Sequence, residues 1–552
     1  MGVSINMRKL SLLLVLALLL TTFGAALADE NQLALEPFAE PVKVSVMRES
    51  SLTIWFPEGE SYQKNVLTDF YKEKLNIEYD VKWLTDNGHY KEQIDLALAS
   101  NDLPDMFEVT PQQLYRAAKA GQIQPLGEVY EKYASDKVKA ALSLNNNMFF
   151  DQATVDGQMY GLPEPNDFAD GTSLIYIRQD WLDYMGLKAP TTIDELEALA
   201  LKFMQGPVDA AGNKATYGIA LAKMENTANF VFRGLSQPFN AYFDTWIPDG
   251  QGGLKFSDVQ PEAKDYLAKM ADWYKKGIFD PEFAVKEDSK IAEDIGAGRI
   301  GIMFAPFWAP LYPLNIAKQN NVNAEWMPYP ILAKPDGTLK PSAWNSCKRY
   351  LVVRAGYDHP EAAVKGNNLW HELWQGDYAE YYHGLNGAEY TEAGEDFKLY
   401  PPFWFDPPTK NIENGRIIRE LWPTPENIDK IKSPELRKQW VKMQDYFGGN
   451  KSNLVGWAQW EIHDPVWRVF DEYYADGTGK GDTGVLYDGY TGPITEDIAR
   501  RLPLLEKLRN ETFVAFVMGS KSLDEWDAYT KDWFDIGGQD MYKDVNDWYK
   551  AS

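Results

Sequence analysis

The chain has 552 residues, with 55 Lys plus Arg against 81 Asp plus Glu, a formal charge of −26 and a single cysteine, Cys347. Single cores stop growing near ~250–300 residues, so several structural units are expected. The acidity excludes sequence-general nucleic-acid binding, which needs Lys and Arg to neutralise phosphates, and the lone cysteine excludes intrachain disulfides, Cys-based zinc sites and iron–sulfur clusters.

In chain order, the first predicted element is an address. Arg8 and Lys9 precede a nearly unbroken run of Leu, Val and Ala from Leu10 to Leu20, and Ala26-Leu27-Ala28 supplies a small-x-small cleavage pattern. This reads as a secretory signal peptide over residues 1–28, cleaved after Ala28; the apolar run is too short for the ~20 residues that span a bilayer. No cysteine lies near that point, so no lipobox is present, and Cys347 is too deep in the chain to carry a lipid anchor. Residues 29–41 read as a polar tether.

Val42 to Val46 and Leu52 to Phe56 have strand character, Asn65 to Leu75 is helical, Ile77 to Trp83 is a strand, and His89 to Ala99 is an amphipathic helix stopped at Asn101-Asp102. Pro104 to Val109 enters another strand. Such alternation predicts an α/β lobe with a largely parallel sheet. Further on, Ser173 to Arg178 is a strand. Thr192 with Glu195 three residues later predicts a capping box opening a helix with Leu196, Leu199, Ala200 and Phe203 on one face. Pro261 to Lys276 is a helix stopped by Gly277, Ile300 to Phe304 a buried strand, Tyr350 to Val353 a strand, and Pro360 to Trp374 a helix. Residues 378–488, rich in Trp, Tyr, Pro and Gly, read as irregular, and the C-terminus as helical.

Enzyme motifs are missing. Gly477 to Gly481 lacks Walker A spacing, no G-x-S-x-G elbow occurs, and His371-Glu372 fails HExxH at Gln375. The five histidines have no ligand spacing. A carboxylate pair can sit anywhere in 81 acidic residues, and the block from Trp457 through Trp460 and Glu461 to Asp464 is the candidate for a glycosidase pair beside aromatic platforms. The chemistry in surplus is aromatic: 19 Trp, 31 Tyr and 26 Phe, 14% of the chain. Trp55, Trp83, Trp308 and Trp344 fall where strands end, the edge at which open α/β sheets bind ligands. An indole face there can stack on the C–H face of a sugar while neighbouring polar groups bond its hydroxyls.

Six blocks in order carry a resemblance: Leu96 to Met106, Gly121 to Leu126, Asp156 to Pro163, Ile177 to Leu182 with Pro190-Thr191-Thr192, Ile295 to Met303, and Ser522 to Asp527 with Ile536-Gly537-Gly538. Together they resemble the bacterial extracellular solute-binding proteins of family 1, the binding components of ABC importers, in the long LipO-like branch related to alginate-binding proteins. The resemblance implies an α/β fold of the two-lobe periplasmic-binding-protein type (type II), with a multi-strand hinge and a ligand held in the interlobe cleft. It divides the chain into lobe 1 (42–163), lobe 2 (164–341), a return segment of lobe 1 (342–385), and residues 386–552 mainly completing lobe 2. It implies Trp308 as a sugar-stacking residue, and Tyr160, Glu164, Asn166, Glu108, Thr110, Trp246, Trp344 and Asn345 at the ligand. Trp55, Trp457 and Trp460 complete the candidate ligand-binding set.

The expected function is carbohydrate binding, the ligand an oligosaccharide, and delivery to an ABC permease, without catalysis. The alternatives are a secreted glycoside hydrolase and a binder of a non-sugar solute such as a peptide. A monomer on the extracellular face of the membrane or in the periplasm is expected, with no nucleic-acid partner and no cofactor. Some relatives carry a calcium loop. Here the corresponding stretch from Asp209 to Gly218 has alanine at 210, 211 and 215, and too few side-chain oxygens for more than weak calcium binding.

Overall fold

The computed structural model describes residues 33–50, 56–86, 89–223, 232–344, 346–385, 401–474 and 485–551. The signal peptide, Trp55 and Asn345 lie outside them. The chain divides into two compact units, Met1–Glu164 with Cys347–Phe405, and Pro165–Ser346 with Asp406–Ser552.

The first unit is built on a five-stranded sheet in the order Ile77–Asp86, Val42–Ser50, Met106–Val109, Cys347–Val353, Gly161–Pro165. The first three are mutually parallel, as the strand–helix alternation predicts, and Cys347–Val353 runs antiparallel to Met106–Val109. Helix Val66–Leu75 starts where Asn65 accepts hydrogen bonds from Leu67 N and Thr68 N, and it ends at Asn76 in the left-handed conformation. Val44, Val46, Leu75, Ile77 and Met106 line one core with Leu369, Trp370 and Leu373 of helix Glu361–Trp374. Phe403 and Phe405 belong to that core, which is why the unit's second segment runs to Phe405 and not to residue 385. The expected tether is also packed from Leu33 onward. Ala34 is buried, Lys365 Nζ donates to Leu33 O and Glu36 O, and Asn368 Nδ2 donates to Ala34 O.

The second unit holds a three-stranded antiparallel sheet with Leu174–Arg178 between Ile302–Ala305 and Trp326–Tyr329. Helix Ile193–Gln205 starts at Thr192, whose hydroxyl accepts from Glu195 N. The reciprocal bond of the expected capping box is displaced by one residue: Glu195 Oε2 accepts from Thr191 N and Oγ1. Residues 378–488 are less irregular than expected. They contain helices Lys410–Leu421, Pro434–Phe447 and Leu454–Glu461. Leu436, Trp440 and Met443 form one buried face at helical spacing, behind a Ser433 cap and Pro434. Among the described residues no helix is long and apolar enough to cross a membrane.

Candidate functional site

Two groups of predicted residues are drawn together, one in each unit. In the second unit, Leu174–Arg178 is preceded by a single tight turn, Phe168–Gly171. Asp167 opens it, its Oδ1 accepting from Ala169 N at 2.8 Å and its Oδ2 from Asn411 Nδ2 at 2.9 Å. Burial first, and the neighbouring Asp170 charge second, push the Asp167 carboxyl above the ordinary range. Asp170 Oδ1 accepts from Trp308 Nε1 at 2.8 Å. Trp308 itself is half-buried and lies just beyond strand Ile302–Ala305. The backbone there is pinned from below: Tyr176 Oη donates to Pro306 O at 3.0 Å, and Phe307 stacks on Trp467.

Trp344 meets the same turn. A Cβ at Gly171 would lie 2.5 Å from Trp344 Cγ, so the absence of a side chain at 171 is what admits the indole. Asn166 anchors the adjoining chain, with Nδ2 donating to Ser346 O and Oγ, both at 3.2 Å. One turn thus holds two half-buried tryptophans, Trp308 through a carboxylate and Trp344 through a glycine.

In the first unit, the carboxyl ends of Val42–Ser50 and Met106–Val109 and the start of Cys347–Val353 share one sheet edge. Arg349 is clasped there by Glu49 through Nη2 and by Glu108 through Nη1, the latter at 3.4 Å, and its guanidinium lies 4.7 Å over the Tyr90 ring. On the outer strand, Glu164 Oε1 lies 3.4 Å from Lys348 Nζ, and that ammonium sits 5.8 Å over Trp404. Burial raises both Glu108 and Glu164 above the usual carboxylate range against the pull of the two cations. Tyr160 is half-buried beside this strand. Thr110 is occupied locally: its hydroxyl accepts from Gln113 N, and Gln113 Oε1 accepts from Thr110 N, capping helix Pro111–Lys119.

Two predicted platforms, Trp246 and Trp457, are core instead, and Trp460 is half-buried. Trp246 is 4% exposed, between Phe256 and Tyr542. Trp457 is 3% exposed in the core around the three-stranded sheet. Trp460 packs against Trp422 and Phe447. A fully buried ring, as at Trp246 and Trp457, has no face left for a sugar. Burial of Trp457 removes one of the two platforms beside Glu461 and Asp464, and Asp464 is held by Arg468 at 2.6 Å. Sequence reading missed Asp170, Lys348, Arg349 and Trp404. Only Trp404 carried a visible signal, as one more aromatic in a Pro-rich run; the rest are marked by tertiary contact alone.

The loop expected as a degraded calcium site closes on itself. Asp209 Oδ1 accepts from Ala211 N and Asn213 N, and Oδ2 from Asn213 Nδ2 at 2.8 Å. Those bonds, led by the Asn213 side chain, hold the Asp209 carboxyl below its ordinary value. Among the described residues no group of three or more His, Cys, Asp or Glu is placed to hold a metal ion.

The architecture is that of a solute-binding protein. The bacterial extracellular solute-binding protein family matches residues 55–365, and the chain belongs to that family. Among curated relatives it is 26% identical over 236 residues to the polygalacturonan/rhamnogalacturonan-binding protein YtcQ of Bacillus subtilis (42% of this chain, 44% of that one). It is 25% identical over 273 residues to the fructooligosaccharide ABC transporter substrate-binding protein FusA of Streptococcus pneumoniae (47% and 48%). The matched stretch thus spans less than half the length of these relatives. Among solved structures, the alginate-binding protein AlgQ2 superposes with a TM-score of 0.60 at 16% identity, covering 94% of this chain and 99% of its own. That likeness concerns the fold.

Proposed function

We propose that this chain captures an oligosaccharide outside the cell and delivers it to an ABC permease. The observation that carries the reading is the Asp167–Gly171 turn, which presents Trp308 and Trp344 together and fixes the Trp308 indole by a carboxylate. Held rings stack on sugar faces at little entropic cost, and carboxylates accept from sugar hydroxyls. The strand-end cluster around Glu108, Glu164 and Arg349 is a separate candidate surface, on the first unit, with hydrogen-bonding groups of the second kind. Family membership supports the transport role, and the relatives named for carbohydrate binding support the ligand class. The work done is binding: a captured ligand changes the population of the form that the permease reads through its differential affinity. A signal peptide over residues 1–28 accounts for export.

Isothermal calorimetry of the mature chain against a panel of oligosaccharides and peptides tests this. Binding of a saccharide with a stoichiometry of one supports it; binding of peptides alone, or turnover of a saccharide, replaces it with one of the alternatives.

A further inference from the structure

The cations of both candidate surfaces share a property that bears on ligand charge. A uronate is recognised by a cation left free to form a charge-assisted, preferably bidentate, pair with its carboxylate. At the first unit's sheet edge the two cations of the described cluster are each paired internally. The Arg349 fork is divided between Glu49 and Glu108, and the Lys348 ammonium faces Glu164. Three carboxylates surround these two cations, and the neighbouring Arg48, buried near the end of Val42–Ser50, has Nη1 donating to Tyr62 O. On the second unit, Trp308 and Trp344 are arranged around Asp167 and Asp170. The helix that hands Asn411 to Asp167 begins at Lys410, which is buried between Asp406 and Glu435. The segments outside the described residues add only Lys398 and Lys480 after residue 32.

From this pairing we infer that the ligand is an uncharged oligosaccharide and that the two surfaces discriminate against uronates. The inference rests on the carbohydrate reading above and narrows it. It separates this chain from the relatives named for polygalacturonan and alginate. The physical reason is that an entering carboxylate must either displace a buried internal partner from Arg349 or Lys348 or sit unpaired among like charges, both costly. A hydroxyl donates to the same carboxylates without breaking a pair. Burial raises Glu108 and Glu164, so the pairing that excludes a uronate strengthens as these carboxyls ionise, and uronate binding would weaken as pH rises.

The test uses the mature full chain at about pH 8, where proton uptake helps a uronate least. Calorimetry is run with neutral fructo-, xylo- and arabino-oligosaccharides, with trigalacturonate, and with glucosamine oligomers, at about 50 and about 500 mM salt. The expected result is saturable binding of a neutral oligosaccharide, with a Kd that changes less than about twofold with salt, and none of trigalacturonate. Trigalacturonate or a glucosamine oligomer binding as tightly as the best neutral sugar, with affinity falling as salt rises, overturns the inference and leaves the carbohydrate reading standing. Failure of every saccharide overturns both. Glu164→Gln, which releases the half-exposed Lys348, and Glu49→Gln, which releases one arm of Arg349, should each raise trigalacturonate affinity at least about fivefold. If neither folded variant gains affinity, the pairing is not what excludes the uronate.

Discussion

The Trp308 indole N–H is spent on Asp170, so in the proposed site the half-buried ring is the part that meets the ligand. Removing the ring should cost the stacking energy and little of the fold, because Phe307, Tyr176 and Trp467 hold the loop beneath it. Trp308→Ala is therefore expected to weaken oligosaccharide binding by about 1–2 kcal/mol, or roughly 5–30-fold in Kd, read by calorimetry. Its Tm should stay within about 2 °C of wild type. A wild-type Kd in the variant would remove Trp308 from the ligand surface. Residue by residue, legibility in the sequence was uneven. Trp308 and Trp344 could be named because strand ends are readable from hydrophobic runs. Trp246 and Trp457 looked the same in sequence and are buried rings. At least eleven of the 19 tryptophans are buried, so the aromatic surplus is mostly core. Whether an indole face is covered depends on helices distant in sequence, and no local pattern records that.

At the scale of elements, helices were legible where caps and apolar spacing agree. They were missed over Lys410–Leu421 and Pro434–Phe447, where short helices are separated by Pro and Gly. The turn between Leu454–Glu461 and the following π-helical residues buries two titratable groups with opposite consequences. Burial, with help from Glu325, pushes Glu461 up to about 8, while burial pushes His463 down to about 3. The folded chain keeps the Glu461 proton to about pH 8, whereas the unfolded chain releases it near ~4.5, so this group's contribution to stability declines as pH rises between those values. Glu461→Gln cannot ionise. Its Tm relative to wild type should rise by about 2–5 °C from pH 5 to pH 8.5 in thermal scans, and a constant difference would contradict the assignment. The Asp209 loop makes a second element-scale prediction. Its carboxylate is satisfied by three donors within the loop. Millimolar calcium or a chelator should therefore shift Tm by less than about 1 °C, and a rise of several degrees with calcium would show a site the loop's own bonds do not account for.

For the molecule as a whole, the export reading predicts that protein secreted from a bacterial host begins at Asp29, as N-terminal sequencing would show. A start at Met1 would contradict it. Length and charge indicated several units in an acidic chain, and six ordered blocks indicated the family. The resemblance implied interleaved lobes with a return segment over 342–385; the structure puts the returning segment at Cys347–Phe405. Cys347–Phe405 returns to the first unit because Tyr350 to Val353 pair with Met106 to Val109 and because Phe403 and Phe405 complete a core begun at Val42. The sequence by itself determined the strand–helix alternation, the family and the excess of carboxylates, since these follow from composition and local order. Tertiary structure alone decided which indoles are open, which carboxylates hold Arg349 and Lys348, and that one turn joins Asp170 to Trp308 and Gly171 to Trp344. Those contacts join residues more than a hundred positions apart, and their energies depend on burial that only the folded chain creates.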